Sequence, residues 1–93
     1  MYLNASNNTV HAVQSYNNVY GMYLMGNRNI LDDLQFYNNT STAIQIQSAS
    51  NNMLNNAQFS FNNDTNISLS SSHFNTLRNI QTSKCKNTST NCY

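Results

Sequence analysis

Glutamate, proline and tryptophan are absent from these 93 residues, only two glycines occur, and charged side chains make up 8%. The basic residues are Arg28, Arg78, Lys84 and Lys86, and only the last two sit close together. A phosphate backbone is held by clustered Lys and Arg, so a chain of formal net charge +1 is not read as a nucleic-acid binder. No apolar run approaches the roughly 20 residues that cross a bilayer as a helix, and no membrane span is expected. Met1 is followed at once by "YLNASNN", with neither a basic nor an apolar leader region, so this segment shows no signal peptide. The only acids are Asp32, Asp33 and Asp64. No cofactor is expected.

What is present is polar and uncharged. There are 20 Asn, and Ser plus Thr contribute 20 more. Low hydrophobicity usually signals disorder, but disorder goes with high net charge and few aromatic or β-branched residues. Here aromatics are 11%, and the apolar residues fall at regular positions.

That regularity is an internal repeat, the first thing to look for in any chain. "LDDLQFYNN" (31–39) echoes "VHAVQSYNN" before it, then "LNNAQFSFNN" and "LRNIQTSKCKN" after it. One column holds Val10, Leu31, Leu54 and Leu77, and three residues later come Val13, Leu34, Ala57 and Ile80. The next residue is Gln14, Gln35, Gln58 and Gln81, identical in all copies, followed by Ser15, Phe36, Phe59 and Thr82. Upstream runs an apolar-x-apolar pattern: Met1/Leu3, Met22/Leu24, Ile44/Ile46 and Ile67/Leu69, with steps of 21, 22 and 23 residues.

Stretches such as "AIQIQ" and "NISLS" alternate with period two and are bounded by Asn and Ser, which predicts short strands and turns. Asn, Ser and Thr weaken helix interiors. With so few glycines, Asn is expected to take the left-handed corners, which it tolerates. A leucine-rich repeat has a similar length but needs a Leu-rich consensus. The pattern predicts an all-β parallel β-solenoid of 21–23 residues per coil, stacked about 4.8 Å apart. The expected coils are 1–21, 22–43, 44–66 and 67–83, with a tail at 84–93, all in one domain. Like residues then stack on like, with Gln outward, the apolar columns inside and Asn columns forming amide ladders.

"NNVYGMYLMGNRNILDDLQFYNN" and "SNNMLNNAQFSFNNDTNISLSSS" resemble the right-handed parallel β-helix repeats of NosD-like and pectin-lyase-like proteins over about residues 1–83. The resemblance implies right-handedness, and a setting among carbohydrate-binding and sugar-hydrolysing β-helix domains. Because neither end carries a legible cap, the segment is expected to be uncapped at both ends and to continue into further coils of a longer parent chain. Its expected location is extracellular or in the cell envelope.

Polysaccharide lyases of the wider group gather several acids around calcium. Asp32 shares a column with His11, Asn55 and Arg78, and Asp33 lies between Ala12 and Asn56. Adjacent acids on a strand point to opposite faces unless a corner intervenes, so Asp32 and Asp33 read as surface residues rather than a paired site, and no catalytic residue is assigned. A His11–Asp32 ion pair across one coil is within reach, and as an exposed pair it matters little. Soft metals want Cys, Met and His together. Met22 and Met25 fit packing better, and His11 and His73 fall in different columns. Cys85 and Cys92 either close a short disulfide loop in an oxidising compartment, stay free, or pair outside the segment.

Sugar binding rests on outward aromatics. Tyr2 and Tyr23 should face out and stack, with Gln45 and Ser68 continuing their column. Tyr16 and Tyr37 align elsewhere, with Phe61 nearby. Aromatic rings beside amides suit a neutral polysaccharide, and the plainer reading is cross-coil stacking that only stabilises the sheet. Tyr2, Tyr23 and Gln45 are the candidate ligand-binding residues. The module is read as structural or carbohydrate-binding. The alternative is a non-catalytic segment of a larger polysaccharide lyase, hydrolase or epimerase. Sequons at Asn4, Asn7, Asn38, Asn39, Asn63, Asn66 and Asn87 are what such a composition produces by chance.

Overall fold

A computed structural model describes residues 1–82, and all of its regular structure is β. Eight strands follow the chain: β1 (Tyr2–Leu3), β2 (Thr9–Tyr16), β3 (Met22–Leu24), β4 (Ile30–Tyr37), β5 (Thr42–Gln47), β6 (Met53–Ser60), β7 (Thr65–Ser70) and β8 (Thr76–Thr82). Odd-numbered strands form one parallel sheet, β1-β3-β5-β7, and even-numbered strands the other, β2-β4-β6-β8. Each coil contributes one short and one long strand, and successive coils stack in register. Gln14, Gln35, Gln58 and Gln81 are paired neighbours along the long sheet. Met22, Ile44 and Ile67 are paired along the short one.

The long strands are bent. Ala12, Asp33, Asn56 and Asn79 lie one above another near the middle of β2, β4, β6 and β8, and each has a left-handed backbone with φ between 53° and 58°. Breaking the two-residue alternation there lets inward positions fall three apart, as with Leu31 and Leu34, both fully buried. Three further columns of left-handed residues turn the chain between strands: Asn7, Arg28, Asn51 and Phe74; Asn17, Asn38 and Phe61; and Ser48 and Ser71. Asn supplies six of the thirteen left-handed residues in the described chain, and glycine none. The two glycines serve close approach instead. A Cβ on Gly26 would lie 1.6 Å from the Ala5 carbonyl oxygen, and one on Gly21 would lie 2.6 Å from that of Ala43.

The interior is apolar and aromatic. Met22, Leu24, Leu31, Leu34, Phe36, Ile44, Ile46, Leu54 and Phe59 are buried. Phe36 and Phe59 stack across one coil with centroids 5.5 Å apart. Side chains of this size contribute about 1.5–3 kcal/mol each on burial.

Two ladders of asparagine close the interior at the corners. In the first, the backbone N–H of Asn8 donates to Asn29 Oδ1, that of Asn29 to Asn52 Oδ1 and that of Asn52 to Asn75 Oδ1, at 2.8–2.9 Å. The side-chain amides of Asn29, Asn52 and Asn75 donate back to the carbonyls of Ala5, Gly26 and Ala49. In the second, Asn18 and Asn39 donate their backbone N–H groups to Asn39 Oδ1 and Asn62 Oδ1. Buried amides are tolerated because each is paired, and among the described residues no buried side-chain nitrogen or oxygen lacks a partner.

Candidate functional site

Strand alternation on the short sheet puts Leu3, Leu24, Ile46 and Leu69 in an inward column, and Tyr2, Tyr23, Gln45 and Ser68 in an outward one. Parallel register brings the rings of Tyr2 and Tyr23 to 5.6 Å between centroids, with planes 22° apart. Tyr20, on the turn before β3, meets Tyr23 edge-on at 6.0 Å and 87°. Tyr2 and Tyr20 are 64% and 44% exposed, so the cluster faces solvent. Its hydroxyls are engaged: Tyr2 donates to Met25 Sδ at 3.1 Å, and Tyr23 donates to Gln47 Oε1.

This stacking shapes what the surface offers. Tyr2 and Tyr23 cover part of each other's faces, so the exposed surface combines ring edges, the remaining face of Tyr2, the Gln45 amide and the Ser68 hydroxyl. The sequence pointed to flat ring faces and missed both Tyr20 and the hydroxyl partners. Tyr20 lies in a turn, where no strand periodicity announces its direction.

On the long sheet, Gln14 Nε2 donates to Gln35 Oε1 at 3.1 Å, continuing the outward amide column. An open, mainly polar groove runs beside it, lined by Asp33, Asn56, Gln58, Asn79, Ile80 and Gln81. Asp32 and Asp33 do not face opposite sides of the sheet, because Asp33 occupies the left-handed corner and both carboxylates stay on the outer surface. Asp32 accepts from Asn55 Nδ2 and Asn56 Nδ2 at 3.0 Å each and pairs with His11 Nδ1 at 3.2 Å. Its lone pairs are thus engaged with amides, as befits a surface network. Among the described residues no group of three or more His, Cys, Asp or Glu is placed to hold a metal ion.

Tyr16 and Tyr37 stack at the end of the long sheet, and Ser60 takes the third place in their column, with Phe61 one residue beyond. Of the sequons, Asn39 and Asn66 are fully buried, while Asn4 and Asn7 are exposed. Cys85, Cys92 and the Asn87 sequon lie outside the described residues.

In-register parallel coils with inward apolar and amide columns define a β-solenoid. The sequence model of the right-handed β-helix region matches residues 2–93, and the chain belongs to that family. No curated protein and no solved structure matches the chain.

Proposed function

We propose that this chain is a non-catalytic module of an extracellular or cell-envelope β-helix protein that binds neutral polysaccharide on the outer face of its short sheet. The observation that carries the reading is the outward column of Tyr2, Tyr23, Gln45 and Ser68, flanked by Tyr20. Ring edges and an exposed face supply apolar area, and the Gln45 amide and Ser68 hydroxyl on the next two coils supply hydrogen bonds, the mixture a sugar presents in return. A formal net charge of +1 gives no long-range pull on polyanions. Asp32 is engaged by Asn55, Asn56 and His11, and Asp33 and Asp64 are exposed to solvent, which favours binding over elimination or hydrolysis.

Titration of the whole chain with soluble neutral glucans, mannans and xylans by calorimetry tests this. Saturable binding that changes little with added salt is expected. The double variant Tyr2→Ala/Tyr23→Ala should lose it, and Arg28→Ala should keep it. Equal binding by the double variant, or steep loss with salt, would overturn the reading. Release of unsaturated product from pectate or alginate would instead favour a lyase segment.

A further inference from the structure

The second tyrosine pair differs from the first in ways that matter chemically. Tyr16 and Tyr37 are paired neighbours on β2 and β4, with ring centroids 4.8 Å apart and planes only 6° from parallel. Tyr16 is 47% exposed, and Tyr37 is partly exposed. Among the described residues neither hydroxyl is hydrogen-bonded. In the Tyr2–Tyr23 pair both hydroxyls are engaged, and the Met25 sulfur touches the Tyr2 oxygen at 3.1 Å. Both hydrogen bonds would have to break before those rings could rotate to bring their ortho carbons together.

The geometry points to Tyr16 and Tyr37 as a site of oxidative cross-linking, in which a haem peroxidase with hydrogen peroxide joins the two rings through their ortho carbons. Each phenol gives up one electron and its hydroxyl proton, leaving a phenoxyl radical with spin density on the ortho carbons. A carbon–carbon bond forms between the two rings. The hydrogen on each coupled carbon is lost as a proton and each phenolic oxygen regains one, restoring both aromatic rings. The protein loses two hydrogen atoms in all, and one hydrogen peroxide accepts them to become two waters.

Register favours the partner. The backbone holds the second ring one coil away permanently, so coupling within the chain is intramolecular and outcompetes coupling between dilute chains. Stacked rings need only side-chain rotation to bring ortho carbons together, and exposed side chains rotate in picoseconds to nanoseconds. The product would tie the first long strand to the second through a covalent loop of 21 residues, as the sequence separation of the pair sets it. A cross-link of this kind restricts the unfolded chain as a disulfide does.

Dilute whole chain treated with a haem peroxidase and limiting hydrogen peroxide provides the test. Dityrosine fluorescence should appear in the monomer fraction. Proteolysis should release one linked peptide pair containing Tyr16 and Tyr37, lighter by two hydrogens than the sum of its parts. Tyr16→Phe and Tyr37→Phe should each reduce the monomer signal by about tenfold or more, whereas Tyr2→Phe should leave it. The linked protein should melt at a higher temperature. An unchanged yield in Tyr37→Phe, a product confined to dimers, or linkage at Tyr2–Tyr23 would overturn the proposal. So would no dityrosine in the protein while free tyrosine couples in the same mixture.

Discussion

Asn39 donates its backbone N–H to Asn62 Oδ1 at 3.2 Å and its side-chain Nδ2 to the same oxygen at 2.9 Å, across one coil of the stack. Asn62 in turn donates to the Phe36 carbonyl at 3.2 Å and to Asn66 Oδ1 at 3.1 Å. One buried amide therefore satisfies groups on three other residues. Truncating it strands buried donors and acceptors rather than removing a single bond. Asn62→Ala should destabilise the fold by about 1–3 kcal/mol, and Asn63→Ala next to it by about 0.5 kcal/mol or less. Urea unfolding of the two variants against the parent checks the contrast.

The repeat made the columns legible. Gln14, Gln35, Gln58 and Gln81, the apolar columns, and the continuation of Tyr2 and Tyr23 into Gln45 and Ser68 all lie where the copies align. The corners were legible only in kind. Asn was the expected turn residue, but one corner column reads Ala12, Asp33, Asn56 and Asn79, and another ends in Phe74. Left-handed geometry there is imposed by coil closure and overrides residue preference. Asn pairs likewise do not announce which member turns the chain and which enters the core. In Asn38-Asn39 the first is left-handed and the second fully buried. At the tyrosine site the column was readable, but hydroxyl partners and ring overlap depend on side-chain torsions, which spacing does not encode.

Phe74 is a bulky residue held at φ 56° with 84% of its surface exposed. It carries the left-handed penalty with little burial to offset it. Phe74→Asn, which restores the residue found at Asn7 and Asn51 in the same column, should stabilise the protein by about 1 kcal/mol. Thermal unfolding monitored by circular dichroism would show the rise.

Phe36 is fully buried against Phe59 in the centre of the stack. Phe36→Ala removes that contact and leaves a cavity, at a cost of about 3–5 kcal/mol. In a domain of this size that is a large share of the total stability, so loss of a cooperative unfolding transition is expected in calorimetry.

Gly26 has no left-handed backbone, and its role is space alone. The added methyl of Gly26→Ala would meet backbone rather than a movable side chain, with Ala5 oxygen at 1.6 Å. A loss of about 1–3 kcal/mol is expected from such overpacking. A smaller loss in urea unfolding would mean that the turn at Ala5 shifts freely.

His11 and Asp32 form an exposed pair, the imidazole side chain being 65% accessible. Replacing His11 with Ala should change stability by no more than about 0.5 kcal/mol. A larger effect in a denaturant titration would assign this surface network a structural role beyond solvated hydrogen bonding.

The outward columns exist only if the third coil lies directly on the second, residue above residue. Paired neighbours on parallel strands bring Cα atoms within the roughly 4.4–6.8 Å that a disulfide spans. In a chain with Cys85 and Cys92 changed to Ser, Gln35→Cys/Gln58→Cys should therefore oxidise quantitatively to one bond within the monomer, identified by peptide mass. Gln35→Cys/Ser60→Cys, two residues out of register, should not. Equal or reversed yields from the two pairs would contradict the coil-on-coil register that continues Tyr23 into Gln45 and Tyr37 into Ser60.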